Sequence, residues 1–263
     1  MVMSFDIDRY ASNASPVRTD DLSFDDFRDR PLAPEPLRAL RYMHDVESHT
    51  VCYLRDLLLT PSHRDPRITT FLTAWAYEEH WHGVALGKVL EAHGEVSGAE
   101  RIGEMRRRLP WRDRVGPYLS AAGGLLAGDD FVAVHMTWGA VNEWSTAAGY
   151  DRLIELAAHP TLTTLLTRIK QQESRHIAFY VSEARARLAA SGRARKLTRL
   201  ALRKLWAPVG SGVMPEAETE FLLRWLLDGR DGAAAVARID ANVSGLPGLE
   251  GLSIVADAMP AAA

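Results

Sequence analysis

The chain has 263 residues, with 31 Lys and Arg against 34 Asp and Glu, and 47% of its residues are hydrophobic. This length and apolar content allow one large domain with a sizeable buried core, and they exclude a disordered or collagen-like chain. Because Cys52 is the single cysteine, neither an internal disulfide nor a cysteine-based metal cluster can form, which favours a cytoplasmic protein. The net charge of −3 argues against a general nucleic-acid-binding protein.

The sequence predicts neither secretion nor a membrane span. Its first ten residues have no basic segment followed by an apolar core, so no signal peptide is predicted. The longest charge-free runs, Val115–Gly128 and Phe131–Asn142, are shorter than the roughly 18–20 residues of a membrane-spanning helix. We therefore expect no membrane span. Residues 1–34 show no sustained hydrophobic period and are predicted to form an arm extended over the body.

Four long helices are predicted from apolar residues that recur at helical spacing. They cover Leu37–Leu59, Ile68–Ala92, a stretch capped by Asp129 or Asp130 that ends at Leu156, and Pro160–Ala190. The residues from Gly94 to Gly128 are too many for a simple turn, so they separate two pairs of helices with short loops. This layout is typical of an all-α four-helix bundle with one long crossover connection.

Shorter helices are expected to cover the bundle after residue 192. They are predicted at 193–206, 215–227 and 232–243, with glycine- and proline-containing turns between them. The predicted organisation is therefore an N-terminal arm at 1–34, one helical domain at 35–252 that includes the accessory helices of 193–243, and a C-terminal tail at 253–263.

Charged residues stand at positions where the helical pattern of the four long helices requires apolar ones. In the second and fourth helices a glutamate and a histidine are three residues apart, so both lie on one face. The residues concerned are Glu47, Glu79, His82, Glu143, Glu173 and His176. Since 32 residues separate Glu47 from Glu79 and 30 separate Glu143 from Glu173, each interval fits one antiparallel helix pair.

These six residues predict a dinuclear metal site. Burying unpaired carboxylates costs several kcal/mol, and few inward Lys or Arg are available as counter-charges, whereas metal cations would supply them. The order Glu, Glu-x-x-His, Glu, Glu-x-x-His, one set per helix, is that of di-iron and di-manganese centres in four-helix bundles. The alternative interpretation is a set of solvated faces or structural ion pairs.

Three segments resemble the metal-binding motifs of the soluble acyl-[acyl-carrier-protein] desaturases, a ferritin-like di-iron family. Two further segments resemble the accessory region of bacterial members, so the similarity extends from about Leu37 to Leu252. The segments are EEHWHG (Glu78–Gly83), VNEWSTAAGY (Val141–Tyr150), QQESRHIAFY (Gln171–Tyr180), WAPVG (Trp206–Gly210) and LPGLEGL (Leu246–Leu252).

This resemblance implies a ferritin-like bundle in which the six residues bind two Fe ions, with Glu79 and Glu173 as bridging ligands. A mixed Mn/Fe centre would use the same ligand types. The resemblance also implies O2-dependent desaturation of a fatty acyl chain on acyl carrier protein, a ferredoxin-type electron donor and a homodimer. Thr146, one turn after Glu143, matches a threonine beside the oxygen-binding face, where its hydroxyl would pass a proton. A threonine inside a helix can equally be a core residue.

Two positions depart from the family pattern. Gln172 stands where the family has an acid, and His80-Trp81 replaces an Asn-Arg pair. A glutamine can hydrogen-bond to a ligand histidine but carries no negative charge, so ligand basicity and reduction potential are expected to differ. The alternatives are a di-iron oxygenase that hydroxylates or N-oxygenates another metabolite, an iron-storage protein, and a metal-binding paralogue without catalysis.

Residues 185–204 contain eight basic residues and no acidic residue. By the resemblance, this segment is a docking face for an acidic carrier protein or electron donor, attracted by its charge. A solvated helix face is the alternative interpretation.

Overall fold

The computed structural model describes residues 5–109, 116, 118 and 122–260. Within these residues the chain is helical and forms no strand, although one isolated β-bridge joins Ser211 and Met214. The prediction of an all-α protein is confirmed. None of the helices in this part of the chain has the length and apolar character that crossing a membrane would require.

The helices are numbered in chain order. A short 3-10 helix, Pro61–Arg64, connects α3 to α4, and residues 122–127 are also helical. The α-helices are α1 (Ile7–Asn13), α2 (Asp26–Asp29), α3 (Pro34–Leu58), α4 (Pro66–Ala92), α5 (Gly98–Arg107), α6 (Asp130–Ala157), α7 (Pro160–Ala190), α8 (Gly192–Leu205), α9 (Glu216–Leu227), α10 (Gly229–Ser244) and α11 (Ile254–Asp257).

The four long helices α3, α4, α6 and α7 form the predicted bundle. Helix α3 packs along α4, and α6 packs along α7; the two pairs meet through α3 with α6 and α4 with α7. One apolar cluster joins the first turns of α3 and α7 to the last turns of α4 and α6, and a second cluster lies at the other end of the bundle. Helix α4 ends at one end of the bundle and α6 begins at the other, as the predicted crossover requires, but residues 110–115, 117 and 119–121 of that connection lie outside the described residues.

The ends of the long helices follow from local sequence. Pro34, Pro66 and Pro160 lie in first turns, where a missing N–H removes no hydrogen bond within the helix. For that reason α3 begins at Pro34, before the predicted start at Leu37. The side chain of Asp65 accepts hydrogen bonds from the first backbone N–H groups of α4 and so caps this helix.

Both terminal regions contain short helices that the sequence did not predict. Helices α1 and α2 lie in the expected extended arm, and Tyr10 and Phe27 of these helices are buried. Helix α11 lies in the expected tail, and the carboxylate of Asp240 accepts hydrogen bonds from two of its backbone N–H groups. Such short helices show too little periodicity to be recognised in a sequence. The domain boundaries themselves stay predictions.

Candidate metal centre

All six predicted ligands meet in the middle of the bundle, between the two apolar clusters. Helices α3 and α6 each supply one glutamate, and α4 and α7 each supply one glutamate and one histidine. The exposed fractions are 5% for Glu47, 4% for Glu79, 0% for His82, 6% for Glu143, 0% for Glu173 and 0% for His176. The one-turn spacing within α4 and α7 therefore places both Glu-x-x-His pairs on inward faces.

The six side chains form two overlapping groups. Ligand atoms of the first group all lie within 4.8 Å of one another, and those of the second group do so as well. The first group is Glu47, Glu79, His82 and Glu173, and the second is Glu79, Glu143, Glu173 and His176. Glu79 and Glu173 belong to both groups, so these carboxylates lie between two adjacent positions where cations could bind.

Three atoms at the centre of the cluster lack hydrogen-bond partners among the described residues. They are Oε1 of Glu79, Nδ1 of His82 and Oε1 of Glu173, and all three are buried. A buried polar atom without a partner is costly, and coordination of a cation would remove that cost. Carboxylates with imidazoles suit iron and manganese, and the charges of four carboxylates would balance two divalent cations. The residues therefore fit a dinuclear centre.

The electrostatics of the cluster support this conclusion. Burial, reinforced by the charges of Glu47 and Glu173, raises the pKa of Glu79 well above its usual range. Burial also raises the pKa of Glu143. Burial opposes ionisation of Glu173, but the nearby charge of His82 and the hydrogen bond from Nδ1 of His176 outweigh it and lower the pKa of Glu173. The raised pKa values reflect the close approach of carboxylates in a buried site, and bound cations would relieve this repulsion.

Each of the two unshared glutamates accepts a hydrogen bond from an aromatic side chain. The hydroxyl of Tyr150 donates to Oε1 of Glu47, and Nε1 of Trp75 donates to Oε1 of Glu143 over 2.9 Å. Both donors are buried, so they fix the orientation of the carboxylates. Neither was recognised in the sequence, where aromatic residues on an inward helix face are indistinguishable from ordinary core residues.

Both imidazoles direct Nδ1 toward the shared carboxylates. Nδ1 of His82 lies 3.3 Å from Oε1 of Glu173, and Nδ1 of His176 lies 2.9 Å from Oε2 of the same residue. The opposite nitrogen of each ring points out of the cluster. Nε2–H of His82 donates to Oε1 of Gln172 over 2.8 Å, and Nε2–H of His176 donates to Oε2 of Glu78 over 2.9 Å.

Glu78 is the functional residue that the sequence analysis missed. It precedes Glu79 as Gln172 precedes Glu173, so the equivalent position in the other Glu-x-x-His pair was the available signal. The N-terminal segment completes both contacts, because Tyr10 donates to Glu78 and the amide of Gln172 donates to the carbonyl oxygen of Ser15. No motif marks this segment in the sequence.

An apolar cavity reaches the cluster from the side of the accessory helices. It encloses about 80 Å³, and its walls include Glu47 and the half-buried Thr146. The rest of the wall is mainly apolar and includes Val46, Leu222, Leu223, Leu226, Ile239 and Val255. Thr146 therefore faces the space through which an apolar molecule would approach the cluster.

The remaining predicted features lie outside the cluster. His80 is exposed, and the ring of Trp81 contacts Tyr77 and His80. In the basic segment, Arg193, Arg195 and Arg199 donate to backbone carbonyl groups. Exposed side chains on the same helix are Lys196, Leu200, Arg203, Lys204 and Leu205.

No protein-family model matches this chain, and no curated protein matches its sequence. The geometry and chemistry of the buried cluster are therefore the basis for assigning a function.

Proposed function

We propose that this protein is a non-haem di-iron, O2-dependent oxidoreductase that desaturates a fatty acyl chain carried on acyl carrier protein. The proposal rests on the buried cluster, which consists of two four-residue sets of Glu and His side chains. Glu79 and Glu173 belong to both sets. The resemblance of three motifs to the soluble acyl-carrier desaturases suggests the reaction and the substrate.

The proposed reaction converts a CH2–CH2 unit into CH=CH and reduces one O2 to two H2O. Two of the four electrons come from the acyl chain together with its two hydrogens, two come from a ferredoxin-type donor, and the two further protons come from the solvent. Iron bound by the six ligands would supply electrons to O2 and the oxidising power that removes hydrogen from carbon. The protein residues hold the ligand set in place and determine what can approach it.

The cavity supports an apolar substrate. Its valine, leucine and isoleucine side chains would hold part of a hydrocarbon chain beside Glu47 and Thr146. The Oγ1 hydroxyl of Thr146 is the candidate proton donor at this wall. Selectivity for one C–H bond would then depend on how far the chain enters the cavity.

The exposed side of α8 supports a charged partner. Lys196, Arg203 and Lys204 lie beside the exposed Leu200 and Leu205, so a positive surface with apolar spots is available. Such a surface would attract an acidic carrier protein or electron donor by electrostatic steering.

The test is a turnover assay with iron-loaded protein, acyl carrier proteins bearing saturated chains, ferredoxin, its reductase and O2. We expect acyl products that have lost two hydrogens, identified by mass spectrometry. Products that have gained one oxygen would instead establish an oxygenase. Oxygen use that is independent of every acyl substrate, accompanied by uptake of many iron ions, would replace the proposal with iron storage.

A further inference from the structure

We propose that the two metal positions are unequal, and that the position containing His176 binds its cation more tightly because Glu78 supports that imidazole. The Glu-supported position comprises Glu79, Glu143, Glu173 and His176. The Gln-supported position comprises Glu47, Glu79, His82 and Glu173, and Gln172 supports its imidazole. The inference rests on the metal-binding part of the proposed function and not on the acyl substrate.

The ligands of the two positions match closely. Both positions share Glu79 and Glu173, and each adds one imidazole through Nδ1. Each also adds one unshared glutamate that accepts a hydrogen bond from a buried aromatic side chain. The principal difference between them lies behind the imidazoles, where one supporting group is a carboxylate and the other an amide.

The carboxylate of Glu78 is held in a fully buried site. Its Oε2 accepts hydrogen bonds from Nε2 of His176 and from the hydroxyl of Tyr10, each over 2.9 Å. Its Oε1 accepts from Nη2 of Arg175 over 2.6 Å, and this cation favours the ionised carboxylate. An anionic acceptor at Nε2 makes Nδ1 of the same ring a stronger donor to a metal ion.

The amide of Gln172 cannot give the same support. Its Nε2 donates to the carbonyl oxygen of Ser15 over 3.0 Å, which turns Oε1 toward His82 and fixes the orientation of the side chain. A neutral amide oxygen accepts the proton of His82 but adds no charge to the ring. His82 is therefore fixed in orientation, as His176 is, but is the weaker ligand.

Because a carboxylate supports His176 and an amide supports His82, we expect the two positions to bind metal ions one after the other. Changes in the partner behind a ligand histidine typically alter metal affinity by about 10–100-fold. We expect the Glu-supported position to fill first and the Gln-supported position to fill second. Exchanging the two supporting groups should move the two affinities in opposite directions.

The experiment is a titration of metal-free protein with Co2+, followed by calorimetry and by the visible absorption of the bound ion. The wild-type protein should show two binding events at least tenfold apart. Glu78→Gln should weaken the first event by about 10–100-fold, and Gln172→Glu should strengthen the second by a similar factor. Neither readout depends on enzymatic activity.

Matched controls separate support of a ligand from a change in net charge. Gln171→Glu adds the same charge at the exposed neighbouring position, and Glu91→Gln removes the same charge from an exposed position of α4. Both controls should bind Co2+ as the wild-type protein does. Circular dichroism of the metal-free proteins checks that they are folded. If Glu78→Gln is unfolded, the affinity of the second Co2+ binding event in Gln172→Glu tests the inference by itself.

Two results would overturn the inference in distinguishable ways. Two events of equal affinity that neither variant shifts would refute the inequality and leave the dinuclear site intact. Absence of Co2+ binding to the wild-type protein would refute the inference together with the proposed function.

Discussion

At the residue scale, the central fact is that four glutamates and two histidines replace core residues in a water-excluded layer. An apolar side chain at any of these positions would avoid the cost of burying charge, so stability alone does not explain them. Cations would explain them, because the carboxylate oxygens without a hydrogen-bond partner could then serve as ligands. The aromatic donors Trp75 and Tyr150 each bond to one oxygen of an outer carboxylate and so fix its orientation.

The ligand assignment predicts that Glu143→Ala combined with Glu173→Ala abolishes metal binding. Glu173 belongs to both positions, and Glu143 to one, so neither position keeps its four ligands. Metal analysis of iron-loaded protein should fall from about two ions per chain to near zero. Full metal content in a correctly folded double variant would show that the ligands lie elsewhere.

Thr146 is predicted to act in turnover without affecting metal content. Thr146→Val removes the hydroxyl at the cavity wall and preserves the shape, so turnover should fall on the order of 100-fold. Thr146→Ser keeps a hydroxyl and serves as the matched control, expected to retain most activity. Equal turnover of the valine variant and the wild-type protein would make Thr146 a core residue only.

His135 illustrates a buried histidine without a metal role. Its Nδ1 contacts the hydroxyl of Ser62 over 2.7 Å, and burial together with the charge of Arg187 lowers its pKa to about 3. In the unfolded chain the pKa is near the ordinary 6.5. Between these two pH values the unfolded state binds a proton that the folded state does not, so acidification below about pH 6.5 destabilises the fold.

This linkage predicts a smaller pH dependence for His135→Gln, in which the amide can still bond to Ser62. Between pH 7 and pH 5 the wild-type free energy of unfolding should fall by about 2 kcal/mol more than that of the variant. Urea denaturation at both pH values measures the difference. The other titrating groups are the same in both proteins, so their contributions to the difference cancel. If the free energies of unfolding of the two proteins changed equally with pH, this would contradict the lowered pKa of His135.

At the element scale, the positions of α4 and α7, which carry the Glu-x-x-His pairs, depend on the short turns that join them to α3 and α6. The loop between α6 and α7 is short, and Ala158 closes α6 in the left-handed region at a φ of 47°. A non-glycine residue there is strained, because its Cβ approaches the following carbonyl oxygen. Arg30 donates to the carbonyl oxygen of Ala158 and helps to hold this turn.

Ala158→Gly is therefore predicted to stabilise the protein by about 1 kcal/mol, since glycine adopts this conformation without the steric cost. Ala186→Gly, at an exposed interior position of α7, is the control and should destabilise by about 1 kcal/mol. Denaturant unfolding measures both changes. Destabilisation by both substitutions would show that the turn is not strained.

At the scale of the whole molecule, the layer formed by the six clustered glutamates and histidines lies between the two apolar clusters of the bundle core. The N-terminal segment closes one side of this layer through Tyr10 and Ser15, and α9, α10 and α11 enclose the cavity on another side. We therefore expect metal binding and folding to be coupled, because cations would bind the assembled cluster and not the unfolded chain.

Metal removal is predicted to lower the melting temperature. One position saturated at 100 times its dissociation constant contributes about 2.7 kcal/mol, so chelation should cost on the order of 5–10 °C. Thermal denaturation with and without chelator measures the effect. The double variant of Glu143 and Glu173 should have the same melting temperature with and without chelator. An unchanged melting temperature of the wild-type protein after chelation would contradict the coupling of metal binding to folding.

The sequence by itself determined the four long helices, their pairing, the crossover and the six clustered residues. These features follow from local periodicity and from charges at inward positions, which are properties of neighbouring residues along one helix. Glu78 could also be identified from the sequence, because it precedes Glu79 as Gln172 precedes Glu173.

Only the tertiary structure decided which groups lie behind each ligand and where the cavity opens. Tyr10 and Ser15 meet α4 and α7 across large separations in sequence, and no local pattern specifies such contacts. The cavity exists because α3 and α6 pack against helices that follow the bundle, so its walls combine distant segments. The short helices α1, α2 and α11 are likewise stabilised by packing, since helices of this length are not stable alone.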